Sequence, residues 1–315
     1  MATVCISKPV ICFKMRVAVI DMGTNTFHLL VVERNASGGW DPVLKKRTYV
    51  KLAEEGIQRI GARAFARALS ALQHFKEALD QLGIPVQAAK AFGTAALRTA
   101  ENAGELIQAI ETQTGIRAEV ISGDREALLI HKGVKRAVPF PKNRVLIMDI
   151  GGGSVEFILC DQEQVFWQQS FPIGVAVLLQ RFHKADPITS AEVETLEGYL
   201  DTTLEPLWEA LERFPAATLI GASGTFDVID LFLLDPLEKP ETYGYIEISA
   251  FEPLYQQFIR STLAERNEME KLPKERVEMV IVALVLVRYV LKKAGIREIY
   301  TSTYALKEGM LEEMI

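Results

Sequence analysis

The chain has 315 residues, enough for two domains at roughly 100–200 residues each. Hydrophobic residues make up 49% and charged residues 24%, the balance of a globular protein. Lys plus Arg is 35 against 41 for Asp plus Glu, and the resulting −6 excludes bulk electrostatic capture of nucleic acid or an anionic membrane. A polyanionic ligand would have to be gripped by a local groove and by metal ions.

Residues 1–14 are mildly apolar, but Lys8 and Pro9 split the run and no small-residue cleavage site follows. They read as a loose extension rather than a signal peptide. Arg16 to Ile20 is an apolar run that suits a strand covered on both faces; a polar turn and a second apolar strand follow. Phe65, Leu69, Leu72, Phe75, Leu79 and Leu82 keep helical spacing. Next come a strand over Val86 to Phe92, helices over Thr94 to Ala100 and Ala103 to Thr114, a strand over Ala118 to Ser122, and a helix over Asp124 to Ala137. Pro139-Phe-Pro141 marks a turn before a second hairpin. Thr189-Ser-Ala-Glu192 has the form of a capping box opening a long helix. Thr218 to Gly221 reads as a strand, with a helix after Gly224. Glu275 to Lys293 reads as a buried helix, because its apolar stretch from Met279 to Val287 is too short to span a bilayer. A strand over Glu298 to Thr301 and a final helix complete the pattern. The three cysteines, Cys5, Cys12 and Cys160, lack Cys-x-x-Cys spacing, so neither zinc nor a disulfide framework is expected, and reducing cytoplasmic conditions fit best.

The chain contains a repeat. Arg16 to Glu33 can be laid on Arg144 to Asp161 without a gap, placing Asp21 on Asp149 and Gly23 on Gly151. Each block is an apolar strand, Asp-x-Gly, a small polar turn and a second apolar strand, which points to duplicated α/β halves.

These turns carry the first candidate chemistry. A phosphate needs several N–H donors aimed into one concavity, and small residues let the backbone come close enough. Gly151, Gly152, Gly153 and Ser154 form the better cradle, with Gly23, Thr24 and Asn25 as its partner. Asp21 and Asp149 cannot bind phosphate directly but can hold Mg²⁺ or Mn²⁺, which bridges to phosphate oxygens. Gly221-Ala-Ser-Gly-Thr225 lies between a strand and a helix, so Ser223 and Gly224 can add N–H donors. Thr225 closes that run where a Gly-x-Ser-x-Gly hydrolase needs glycine; no P-loop or Gly-x-Gly-x-x-Gly opening a helix occurs. Glu126 falls in the first turn of its helix, where the dipole should keep its carboxylate ionised. Thr94 and Arg98 lie on another short helix, with Arg98 a candidate to face phosphate.

The sequence resembles the exopolyphosphatase/guanosine pentaphosphate phosphohydrolase family, within the superfamily of acetate and sugar kinases, actin and heat-shock chaperones. The stretches that carry the resemblance are Ala18 to Leu30, Gly93 to Asn102, Ile121 to Ala127, Met148 to Glu156 and Gly221 to Thr225, in the family's order. It implies two ribonuclease-H-like α/β domains around a cleft: residues 15–123, completed by a returning C-terminal helix at 305–315, and residues 124–304. It also implies the short form, without an added helical region. By the same resemblance Glu126 matches the general base, Arg98 an arginine near the cleft, and Asp149 and Glu156 acids near the metal, with Asp21 opposite. The two turns and Thr94 match phosphate-binding positions.

The chain departs from the family at Arg125 and Leu128, and at Lys307, where arginine is usual. The resemblance implies first an exopolyphosphatase that removes terminal phosphates from inorganic polyphosphate, with hydrolysis of the terminal phosphate of guanosine pentaphosphate as the runner-up; the sequence separates the two poorly. A kinase of the same superfamily and a non-catalytic phosphate or nucleotide sensor are the alternatives. Lys132, Lys135 and Arg136, or Lys45, Lys46, Arg47 and Lys51, are candidate strips for a long polyanion. No nucleic-acid or membrane partner is expected. Oligomeric state is not fixed by the sequence, and a homodimer is compatible with it.

Overall fold

The computed structural model describes residues 15–314, so the extension expected over 1–14 lies outside the described residues. The first half contains strands β1 (Arg16–Met22), β2 (Thr26–Arg34) and β3 (Trp40–Tyr49), then helix α1 (Ala62–Gln81). It continues through β4 (Ala89–Gly93), α2 (Ala95–Thr99), α3 (Ala103–Thr114) and β5 (Ala118–Val120). Helix α4 (Gly123–Ala137) leads to β6 (Val145–Ile150), β7 (Val155–Cys160) and β8 (Val165–Phe171). Then come α5 (Val175–Phe182), α6 (Ser190–Thr203), α7 (Glu205–Arg213), β9 (Thr218–Ala222) and α8 (Gly224–Leu233). The chain closes with β10 (Tyr243–Glu247), α9 (Ile248–Ile259), α10 (Leu263–Glu268), α11 (Val280–Lys293), β11 (Glu298–Ser302) and α12 (Leu306–Glu312).

The repeat is visible in the topology. One sheet runs β3-β2-β1-β4-β5 and the other, read from its far edge, β8-β7-β6-β9-β11, with β10 added. In each, two antiparallel partners flank the first strand on one side and parallel strands continue on the other. This is the ribonuclease-H-like order, made twice.

The apolar runs have the burial that was expected of them. Ala18, Ile20 and Met22 of β1 pack on the α1/α3 side, while Val17 and Val19 enter a second core. On β6, Leu146, Met148 and Ile150 face α11, and Val145 and Ile147 face that same second core. The shared core thus lies between the two sheets, filled by α4 and α12. Burying each of these aliphatic side chains stabilises by roughly 1.5–3 kcal/mol.

Helices α4 and α12 cross at two glycines. A Cβ on Gly133 would lie 2.0 Å from the carbonyl oxygen of Ala305, and one on Gly309 would lie 1.8 Å from that of Leu129. Around this seam Arg125 and Lys132 pair with Glu313 at 2.6 and 3.2 Å, and Arg136 pairs with Glu312. Helix α12 also packs on β1.

The capping box at Thr189 and Glu192 is present. Two sequence expectations are corrected. The helix expected from Glu275 starts only at Val280, and 274–279 is a run of turns. The buried Arg266 takes the Val277 carbonyl at 2.8 Å, withdrawing it from a helical ladder. The strand expected from Val86 begins at Ala89, after a 3-10 turn. Among the described residues no helix is long and apolar enough to cross a membrane.

Candidate active site

The two hairpin turns face each other. Gly23 N–H donates to Thr26 O at 3.1 Å, and Gly151 N–H to Ser154 O at 3.0 Å, the same closure in both repeats. A Cβ on either glycine would sit 2.9 Å from that carbonyl oxygen. A Cβ on Gly152 would meet the Asn25 amide, and one on Gly153 would meet Thr24 Oγ1, both at 2.6 Å. The glycines are therefore needed for the two turns to approach. The carbonyls of Gly151 and Gly152 accept from Val175 and Ala176 at the start of α5, at 3.0 and 2.9 Å. With those carbonyls engaged, the turn's amides are what it has left to offer an anion.

Between the turns lies a cavity of about 150 Å³. Register places Asp149 opposite Glu156 and, in the other repeat, Asp21 opposite His28. Glu126 enters from the first turn of α4. Its Oε2 accepts from Arg98 Nη1 at 2.6 Å; the same Nη1 donates to Ile121 O at 3.0 Å. Glu156 Oε1 accepts from both Ser154 and Ser170 hydroxyls, at 2.6 and 2.7 Å. Ser223 holds an unusual backbone, φ 69° and ψ −178°, a conformation that costs of order 1–3 kcal/mol for a residue with a side chain. Its hydroxyl is close enough to Asp149 to hold that carboxyl's pKa down.

Residues 31–315 match the profile of the Ppx/GppA phosphatase family. The chain belongs to the Ppx/GppA phosphatase family. It is 26% identical over 302 residues to exopolyphosphatase 1 of Mycobacterium tuberculosis, covering 94% of this chain and 87% of that one. It is 28% identical over 301 residues to a guanosine-5'-triphosphate,3'-diphosphate pyrophosphatase of Photobacterium profundum, covering 95% of this chain but 59% of the relative. The crystal structure of an exopolyphosphatase from Cytophaga hutchinsonii superposes with a TM-score of 0.89 at 37% identity, covering 95% and 97% of the two chains.

In this family member the sequence-predicted residues gather almost completely. Asp21, Gly23, Thr24, Asn25, Thr94, Glu126, Asp149, Gly151, Gly152, Gly153, Ser154, Glu156, Ser223 and Gly224 all line the one cavity. Arg98 does not. It borders a neighbouring space and reaches the site through Glu126.

Electrostatics correct one expectation. The helix dipole was expected to keep Glu126 ionised, but burial outweighs it. The carboxyl is pushed up to about 7, with Arg98 opposing the rise. Burial likewise lifts Asp21 to about 7, helped by Asp149, while Lys307 pulls the other way. Asp149 rises to about 6 for the same first reason, against the Ser223 hydroxyl and Lys307. Glu156 is raised well above the usual carboxylate range by burial and by Glu126. The acids are thus short of positive charge.

Three titratable or charged residues lining the cavity went unrecognised in the sequence, His28, Asp227 and Arg276; Arg47 was read there only as part of a polyanion strip and Lys307 only as a departure from the family, and both line the cavity as well. Burial, with Lys307 and Arg47, drops His28 to about 3, so its imidazole is neutral. Burial opposes charge on Lys307, but Glu308, Asp21 and Asp227 outweigh it and raise its pKa. Arg276 lies against Gly224, where a Cβ would overlap its guanidinium. Arg47 and Tyr49 both hold Glu275. The repeat offered one usable signal: His28 occupies the place that Glu156 holds in the second block.

The first basic strip fails as a polyanion path. Lys132 and Arg136 are engaged by the α12 carboxylates, and Lys135 donates to the Gln162 carbonyl. In the second strip only Arg47 lines the cavity; Lys51 pairs with Glu278 at 3.6 Å.

Proposed function

We propose that this protein hydrolyses the terminal phosphoanhydride bond of inorganic polyphosphate, assisted by Mg²⁺ or Mn²⁺. One observation carries the reading: a buried carboxyl held at about 7 faces a cavity walled by two glycine turns. A general base works best with a pKa near the operating pH.

The terminal phosphate would take the turn amides on its non-bridging oxygens. Arg276, Arg47 and Lys307 would offset its charge. Glu126 accepts a proton from water as the water oxygen bonds to phosphorus. The bridging P–O bond breaks, and its electrons stay on the shortened chain. Arg98 holds Glu126 in place and favours its ionised form.

The acids fit a divalent cation in a particular manner. No three of them converge as a ready-made metal cage among the described residues. Mg²⁺ keeps several waters and uses one or two carboxylates plus substrate oxygens, which this sparse set matches. Asp149, Glu156 and Asp21 would hold it, and a cation there would offset both the cost of burying their charges, the main cause of their raised pKa values, and the lesser repulsion from neighbouring acids. When bound, such an ion polarises the phosphoryl oxygens and offsets charge developing on the leaving group.

Pockets that enclose a whole small molecule run to roughly 300–1,000 Å³. At about 150 Å³ this one takes only the reacting phosphate end, which polyphosphate and guanosine pentaphosphate share. Phosphate release should be measured side by side on polyphosphate, guanosine pentaphosphate and ATP, with wild type and Glu126→Gln. Polyphosphate should be cleaved fastest, and the variant should lose about 10²–10⁴-fold of kcat. Preference for the nucleotide would replace the substrate; a variant within threefold of wild type would remove the base.

A further inference from the structure

The hydrolase reading above raises a traffic problem. A polymer entering the cavity end first occupies the mouth it came through. Cleavage then leaves an orthophosphate beside Glu126, deeper than the shortened chain. With a single mouth, each phosphate could leave only after the polymer let go.

A second cavity, of about 290 Å³, adjoins the first. Ala95, Gly153 and Ser154 line both, so the wall between them is one glycine turn and the start of α2. At about 30 Å³ per water the second space holds several waters, ample for an orthophosphate. Arg98 stands at the junction. Both of its hydrogen bonds, to Glu126 and Ile121, leave from Nη1, and neither uses Nε or Nη2. Thr99 contributes a hydroxyl group to the same lining, where the Ser170 hydroxyl already donates to Glu156.

We propose that this second cavity is the exit for product orthophosphate, with Arg98 and Thr99 as its first contacts on the way out. The charge balance suits passage rather than storage. Arg98 is the sole cation among the lining residues, Asp124 sits on the same wall, and Glu126 and Glu156 stand behind. A phosphate held by this one guanidinium, with Asp124 beside it and no second cation on the wall, is held only weakly. The polymer can meanwhile stay bound and advance by one unit.

Two measurements test this. First, inorganic phosphate is added to initial-rate assays over a range of polyphosphate concentrations. A separate exit lets phosphate enter while polymer is bound, so inhibition should lower kcat as well as raise KM. Second, Thr99→Trp, at the exposed end of α2, and Gln169→Trp, on β8, each narrow the second cavity. Single-turnover cleavage should stay within about twofold of wild type, while steady-state kcat falls ~tenfold and a burst of product appears, since release becomes limiting. Purely competitive inhibition, with both variants cycling at the wild-type rate, overturns the proposal. Absence of cleavage even in a single turnover overturns the hydrolase reading, and this inference with it.

Discussion

Replacing Arg98 by alanine isolates what sets the acidity of the base. The guanidinium lies 2.6 Å from Glu126 Oε2, and both side chains are largely shielded from water. A hydrogen bond to a charged group contributes roughly 1.5–3 kcal/mol. At about 1.36 kcal/mol per pK unit, its loss should move the ionisation of Glu126 alkaline by roughly one to two pH units. With Glu126 as the proposed base, activity should need its ionised carboxylate, and kcat/KM should rise with pH through a pKa near 7 in wild type. In Arg98→Ala the same limb should appear at higher pH. Activity at pH 7 should fall ~tenfold and largely return by pH 9. Arg98→Lys, which restores a cation without the planar fork, should recover part of the shift. The assay is kcat/KM for phosphate release across pH 5.5–9.5. A loss that is the same at every pH would refute the reasoning, and with raised KM it would make Arg98 a substrate ligand instead.

Asp149→Asn should raise the Mg²⁺ concentration needed for half-maximal rate, read by metal titration after chelation; full activity at limiting metal would reject Asp149 as a ligand. Gly309→Ala should destabilise by about 1–3 kcal/mol, because its Cβ meets a backbone carbonyl at 1.8 Å that cannot swing aside. Gly104→Ala, with nothing within 4 Å and a helical site, should instead stabilise by roughly 0.5–1 kcal/mol, and denaturant midpoints compare the two. Glu192 accepts hydrogen bonds from Thr189, Lys184 and Ala185, and these hold its pKa down at about 2, against the usual 4.5. Its stabilising effect is therefore complete above about pH 4.5 and lost as pH falls toward 2. Glu192→Gln should lower the unfolding temperature at pH 7 and reduce its slope between pH 2 and 4.5.

What the sequence revealed depended on whether a signal was local. The paired hairpins were legible because both strands and the turn between them fall within eighteen consecutive residues, unbroken in each copy. The two glycine turns lie within those blocks, whereas Glu126 stood out through its place at a helix N-terminus and the resemblance carried by Ile121 to Ala127. Strand β3 escaped because its exposed outer positions carry Asp41, Lys45, Lys46 and Arg47, which give no apolar run. Arg276 and Lys307 escaped because their place in the cavity depends on distant chain returns, one through a buried Arg266 and the other through the α4–α12 seam. The state of Glu126 was misjudged because the helix end is local and the burial is tertiary. The strip on α4 was misjudged likewise, since its neutralising carboxylates are more than 170 residues away.

Duplication left the two hairpins alike in backbone and unlike in chemistry. Each closes through the same bond and excludes a side chain at the same glycine. Yet one sets a neutral imidazole across from its aspartate, and the other sets a second carboxylate there. A polyphosphate chain, whose repeating units look the same from either side, therefore meets two walls that differ. The site has a direction although its scaffold is nearly two-fold. In the proposed reaction the acid-rich wall would serve the cation and the opposite wall would grip without competing for it, so a symmetric pair of either half would lose the sidedness that orients the bond to be cut.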